Sequence, residues 1–338
     1  MPTTLSDVAA RAGVSTSAAS RVLSGAPSAR VRPDTRERIE AAARELGYRP
    51  NFAGRALRLA RSDVLAMVVP ELTSAVFSEL LRGVEDAARD HGYLVLLGRA
   101  EDIGGEMIAR LIGEGRVDGI LWQTGEDGED PDRAAVQEQR TPVVFMNSIE
   151  DDHAGSVALP NADAARIATR HLLDLGHTSI GLVGGLETVY TAAPRETGYL
   201  EAMAHAGMPV RRSWTTRYGY SADQGRRAIR KLWSLKRRPT AVVVANLNAA
   251  IGVLAEARDL GLSVPEELSV VTLLDAWTAE HTSPALTTVR MPLHAMGRRG
   301  VELLLDKLNG ADVDNVLITE PGPELVIRGS TAAPRTKE

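Results

Sequence analysis

Near the start of the chain, Thr16, Ser17, Ser20 and Arg21 are spaced to face one way. They stand in the run Ser15-Thr16-Ser17-Ala18-Ala19-Ser20-Arg21-Val22-Leu23, and on a helix they fall outside the apolar stripe of Ala18, Ala19, Val22 and Leu23. Hydroxyls can donate to or accept from base edges, and an arginine fork matches the O6 and N7 acceptors of guanine. A second set of polar residues directly follows apolar runs: Gln123 after Gly119–Trp122, Asn147 after Val143–Met146, Asn246 after Ala241–Ala245, and Asp275 after Val270–Leu274. In open α/β sheets, residues at the carboxyl ends of strands are placed to touch a ligand. The same positions also suit helix caps and turn formers.

Elements to hold the first set are legible. Leu5, Val8, Ala9 and Ala12 share a helix face, with Ser6 as the expected N-cap, Asp7 in the first turn and Gly13 as the stop. Ser15 is expected to cap the next helix, so two helices meet across a tight turn, a helix-turn-helix. A third helix from Pro33 to Leu46 offers Ile39, Ala42, Ala43 and Leu46 to close a small core. Asn51 can then cap a short helix to about Leu59. Helices below ~12–15 residues are marginal alone, and Gly54 adds a cost of about 1 kcal/mol. This segment is therefore expected to be helical only on DNA.

Charge supports a polyanionic partner. Residues 1–61 hold eleven Arg, no Lys and five Asp or Glu, giving +6, whereas the remaining 28 basic and 39 acidic residues give −11. A basic head can neutralise phosphates and release counterions.

The motifs together resemble the LacI/GalR family of transcriptional regulators. They are Asp7-Val8-Ala9, Gly13-Val14-Ser15, Ser20-Arg21-Val22-Leu23, the stretch Glu45 to Asn51, and Arg55-Ala56-Leu57. The resemblance implies that Thr16, Ser17 and Arg21 read bases and that Leu57 wedges into the minor groove at the operator centre, kinking a flexible step. Ser15, Ser20, Asn51 and Arg55 are assigned to the DNA backbone and the hinge. In the body it implies an effector site of Gln123, Asn147, Arg195, Tyr220, Asn246 and Asp275. Arg195 would supply a fork for paired hydroxyls or a carboxylate, and Tyr220 would stack on a ligand ring. The chain departs from the family at Ala19 (usually Val), Gly54 (usually Ala), and Thr73-Ser74-Ala75-Val76 (usually Ser-Asn-Pro-Phe). Leu247 and Leu274 occupy positions where Asp is common, which removes acceptors for sugar hydroxyls.

After Arg61-Ser62, apolar runs alternate with helical periodicity to the C-terminus, as in parallel sheets covered on both faces. The expected fold class is α/β: an all-α helix-turn-helix head plus two doubly wound lobes resembling a type I periplasmic-binding protein. The expected domains are 1–48 (head), 49–61 (hinge helix), 62–160 plus 292–320 (N-terminal lobe) and 161–291 plus 321–338 (C-terminal lobe). The resemblance implies three crossovers between the lobes.

Other chemistry finds little support. The chain has no Cys, which excludes disulfides and thiolate metal sites, and its seven His show no metal-ligand spacing. Gly184-Gly185 lacks the residues that complete a phosphate loop. No catalytic constellation, metal site or cofactor is expected. The N-terminus carries no signal-peptide pattern, and no apolar run approaches the ~20 residues of a membrane span, so a cytoplasmic location is expected. The expectation is a DNA-binding repressor acting as a homodimer on a pseudopalindromic operator, under control of a sugar-like or related small-molecule effector. A solute-binding protein of the same body fold is the alternative.

Overall fold

The structure, a computed structural model, describes residues 3–23, 31–48, 61–72, 74–100, 107, 110–123, 142–149 and 155–335. It divides into a small N-terminal helical unit and a larger α/β unit.

The helical unit contains α1 (Leu5–Ala12), α2 (Thr16–Leu23) and α3 (Pro33–Glu45). Thr4, and not Ser6, caps α1. The Thr4 hydroxyl accepts the Asp7 amide at 3.3 Å and the Asp7 carboxylate accepts the Thr4 amide at 2.9 Å. Only the three-residue spacing from Thr4 to Asp7 lets both bonds form, and these bonds hold the Asp7 carboxyl below its ordinary pKa. Gly13 ends α1 at φ 66°, a conformation that a Cβ would penalise. Val8, Ala9, Ala12, Ala19, Val22, Ile39, Ala42 and Ala43 form the buried centre of the three-helix unit.

The larger unit is built on two six-stranded sheets. The first contains β1 (Val64–Val69), β2 (Leu94–Arg99), β3 (Gly119–Gln123), β4 (Val143–Met146), β5 (Ser156–Ala158) and β11 (Val316–Leu317), in the order β11-β5-β4-β3-β1-β2. The second contains β6 (Ile180–Gly184), β7 (Thr215–Arg217), β8 (Ala241–Val244), β9 (Ser269–Leu273), β10 (Thr287–Arg290) and β12 (Glu324–Val326), in the order β12-β10-β9-β8-β6-β7. All pairings are parallel except β12 against β10. The central strands β3, β4, β6, β8 and β9 are buried along their whole length, which is why they read as unbroken apolar runs.

Helices α4 (Phe77–Asp90), α5 (Asn161–Asp174), α6 (Ala192–His205), α7 (Ala222–Trp233), α8 (Leu247–Asp259), α9 (Trp277–Glu280) and α10 (Leu293–Leu308) belong to the same unit. Three helix pairs cross at glycines. A Cβ on Gly83 would lie 2.1 Å from the His294 carbonyl, one on Gly198 2.0 Å from that of Ala162, and one on Gly252 1.9 Å from that of Ala222. A helical glycine costs about 1 kcal/mol in propensity, but here it lets two backbones meet.

The final segment returns to the second sheet. Ser330 accepts the Thr287 amide at 2.8 Å and donates to the Val270 carbonyl. His177 is buried, with Nδ1 2.8 Å from the Thr240 hydroxyl and Nε2 2.8 Å from the Ala332 carbonyl.

Candidate functional site

In the helical unit, Ser15 starts α2 by accepting the Ala18 amide on its hydroxyl at 3.2 Å. Ala19 and Val22 turn into the core and leave Thr16, Ser17 and Arg21 exposed on the opposite face, with Ser20 half-buried beside them. Arg21 Nε donates to the Ser17 carbonyl at 3.2 Å, so the guanidinium lies back along its own helix. One exposed helical face thus presents two hydroxyls and a cation, a donor-rich surface suited to phosphates and purine edges. Asn51, Arg55 and Leu57 lie outside the described residues.

In the larger unit a relay of hydrogen bonds joins the two sheets. Arg195 on α6 is 2% exposed. Its Nε donates to Asn161 Oδ1 at 2.9 Å and its Nη1 to the Ala245 carbonyl at 2.6 Å. Asn161, the first residue of α5, donates through Nδ2 to Asn147 Oδ1 at 3.1 Å. Asn147 follows β4 of the first sheet, and its amide reaches back to the Val157 carbonyl at 2.6 Å. The Arg195 guanidinium sits 5.2 Å from the centre of the Tyr220 ring, and the Tyr220 hydroxyl pairs with Thr191 at 3.0 Å. Asn248 at the start of α8 adds a second link between the sheets, 3.4 Å from the Ser74 hydroxyl.

The other expected contacts are placed differently. Asn246 is the N-cap of α8 and accepts the Asn248 amide at 2.7 Å, so part of its capacity is structural. It remains next to the Ala245 carbonyl that holds Arg195. Gln123 is buried at the end of β3. Asp275, also expected at the effector site, is held by neighbours on its own sheet. Arg328 lies 2.9 Å from Oδ1, Thr288 donates to the same oxygen at 2.9 Å, and Arg290 reaches Oδ2 at 3.0 Å. Burial raises the Asp275 pKa, but the Arg328 and Thr288 bonds with the arginine charges outweigh it and the net shift is downward. This carboxylate is the counter-ion of the second sheet's edge and does not join Arg195. Trp122 is fully buried packing, and Trp277 is exposed at 65%.

An open groove of about 530 Å³ at the β7 edge, bounded by Glu187, Arg212, Arg217 and Lys231, shares no residue with the relay. Among the described residues no cluster of acidic and histidine side chains could hold a metal, and no helix is long and apolar enough to cross a membrane.

Residues 4–51 match the family described as bacterial regulatory proteins, lacI family, and residues 169–331 match a periplasmic binding protein-like domain. The HTH-type transcriptional repressor CytR of Escherichia coli (strain K12) is 34% identical over 335 residues, covering 98% of this chain and 96% of CytR. The chain belongs to the LacI family. Among solved structures, a LacI family regulator from Mycobacterium smegmatis is 41% identical, with a TM-score of 0.75 over 80% of this chain and all of that one. A lac repressor dimer bound to operator and the anti-inducer ONPF superposes with a TM-score of 0.82 at 27% identity, over 98% of this chain and 100% of that one.

As a LacI-family member the chain is a DNA-binding transcriptional regulator and not an enzyme, which sets aside the solute-binding alternative. Its helical head and two-sheet body match the fold class expected from the sequence. The sequence reading missed Asn161. The available signal was an amide directly after Leu159-Pro160, where the chain leaves the first sheet and enters a helix of the second. The Leu159 carbonyl takes only one of the bonds this buried amide can make, so the rest must reach neighbours on other elements.

Proposed function

We propose that this LacI-family regulator is a repressor that binds a pseudopalindromic operator as a homodimer, with its DNA affinity set by a small molecule between the two sheets. In this reading residues 1–48 are the head, 49–61 the hinge, 62–160 plus 292–320 one lobe, and 161–291 plus 321–338 the other. Thr16, Ser17 and Arg21 read bases, Ser15 and Ser20 face the backbone, and Asn51, Arg55 and Leu57 act at the hinge. Arg195, Tyr220, Asn147 and Asn246, with Gln123, form the effector site, for a sugar or related metabolite.

The observation that carries the proposal is the Arg195–Asn161–Asn147 relay, because it ties both sheets to one buried cation. A ligand inserted there changes contacts on both lobes at once. Differential contacts of this kind support coupling of roughly 1–3 kcal/mol between sites. Support for a dimer comes from β2, an edge strand whose Leu94, Leu96 and Leu97 are exposed at 67%, 42% and 41%. An apolar edge of this kind invites pairing with a second copy.

The test begins with selection of a binding site from a random duplex library by the full-length protein. The expected product is an inverted repeat bound by two copies, with log K falling steeply as log[salt] rises. Arg21→Ala should weaken the selected site by about 1–3 kcal/mol and relax one symmetric pair of positions. Weak, sequence-blind binding by single copies would sink the proposal.

A further inference from the structure

We infer that the effector carries an anionic, acceptor-only group, a carboxylate or phosphate, that docks on Arg195 and Asn147. The inference rests on the reading of the cleft between the sheets as the effector site.

Arg195 is a buried cation that pairs with no carboxylate among the described residues; its partners are an amide oxygen, a backbone carbonyl and the face of a ring. Neutral acceptors solvate a guanidinium only in part, and an uncompensated buried charge is costly. Its outer nitrogen Nη2 makes no hydrogen bond among the described residues, which leaves a two-proton donor unengaged.

The relay fixes the polarity of what lies beyond. Arg195 Nε can only donate, so Asn161 must present its oxygen to it. Asn161 then has only its NH2 left, so Asn147 must present its oxygen in turn. The Asn147 NH2 is left over, again with no partner among the described residues. One arginine thereby turns two amides into a directed chain, and its ends at Arg195 and Asn147 both offer N–H groups. Among the described residues, the ends of β8 and β9 add no unpaired acid. Leu247 and Leu274 are buried and apolar, Asn246 is an amide, and the Asp275 carboxylate is held by Arg328 and Arg290. A polyol needs acceptors for its hydroxyl protons as well as donors, and the relay provides donors. A carboxylate or phosphate needs donors alone, and it supplies the charge that Arg195 lacks.

The test compares thermal unfolding of the full-length protein in sodium acetate and in sodium phosphate with that in sodium chloride at matched ionic strength. Matched D-gluconate, D-glucose 6-phosphate and D-glucose form a second series. The expected result is an anion-specific rise of a few degrees for wild type, with the acetate and phosphate arms telling which head group fits. Arg195→Met should abolish it. Asn147→Asp keeps the oxygen that Asn161 needs but replaces the free donor with a carboxylate oxygen, and should weaken anion binding by about tenfold or more. Because Asn147→Asp leaves Arg195 and its bonds in place, it decides the matter even if Arg195→Met folds poorly. No anion-specific shift in wild type, or a shift that survives in Asn147→Asp, would overturn the inference. An uncharged compound whose stabilisation vanishes in Arg195→Met would overturn the anionic group while leaving the cleft reading intact. A ligand whose effect is unchanged in Arg195→Met would overturn the cleft reading itself.

Discussion

The two sheets of the body repeat one design and use it differently. Their strand orders correspond from edge to edge. In each, the chain leaves an equivalent strand through a left-handed residue, Asn147 after β4 at φ 54° and Leu274 after β9 at φ 69°. Each of these amides donates to the neighbouring strand, to Val157 at 2.6 Å and to Val289 at 3.0 Å. The backbone is the same, but the side chains divide the work. Asn147 extends the polar relay to Arg195, whereas Leu274 is buried among apolar neighbours and the next residue, Asp275, locks the sheet edge through Arg328 and Arg290. Equivalent position in a repeated fold does not confer an equivalent role; the partners around each side chain decide it.

Removing Asp275 should expose that division most strongly. Asp275→Ala leaves Arg328, whose side chain is 11% exposed, without its buried counter-ion. Breaking a buried pair from one side typically costs about 3–5 kcal/mol, to be read as a lower urea midpoint. Ligand affinity of the folded variant should be unchanged. A variant of normal stability that had lost its ligand response would show that Asp275 belongs to the site after all.

The converse change gives the first sheet the side chain of the second. Asn147→Leu places a bulky residue at positive φ and removes the acceptor of Asn161 Nδ2, which keeps only the Leu159 carbonyl. A stability loss of about 1–3 kcal/mol is expected, with loss of any ligand-dependent change in DNA affinity. The two variants should thus show opposite ratios of stability effect to response effect. Equal ratios in denaturation and DNA-binding titrations would erase the proposed contrast.

What the sequence made legible follows the same physical line. The central strands were readable because each buries every residue, and α2 because its apolar stripe leaves Thr16, Ser17 and Arg21 on the other face. The short strands β5, β7, β11 and β12 span only two or three residues, too few for periodicity, and are held by neighbours far along the chain. Arg195 and Asn147 could be singled out as site residues, but their connection through Asn161 could not, because the three residues stand on separate elements. The partners of Asp275 were hidden for the same reason: Arg328, its main partner, is 53 residues away. The caps were local, but Thr4 and Ser6 both suit Asp7 by composition, and only hydrogen-bond geometry separates them.

The smallest expected effect separates the sheets at their closing segments. In the first sheet, Asn315 Oδ1 accepts the Gly155 and Ser156 amides at 3.1 and 2.9 Å, and this amide does not titrate. In the second, the final segment rests on imidazoles. His177 bridges Thr240 and Ala332, and His171 Nε2 lies 2.9 Å from the Thr331 hydroxyl. Burial lowers both histidine pKa values below the ordinary 6.5, so the folded protein holds these rings neutral. An unfolded chain takes up protons first as pH falls, so this contribution is complete above about pH 6.5 and declines from there towards the lower folded pKa. Amide exchange at Ser330–Ala332 should therefore quicken between neutral pH and pH 5, after correction for intrinsic rates, while exchange at Gly155 and Ser156 stays level. His177→Gln should flatten the pH dependence of the second segment. Equal acceleration at both segments would mean that the histidines do not set the difference, and that the two sheets loosen together.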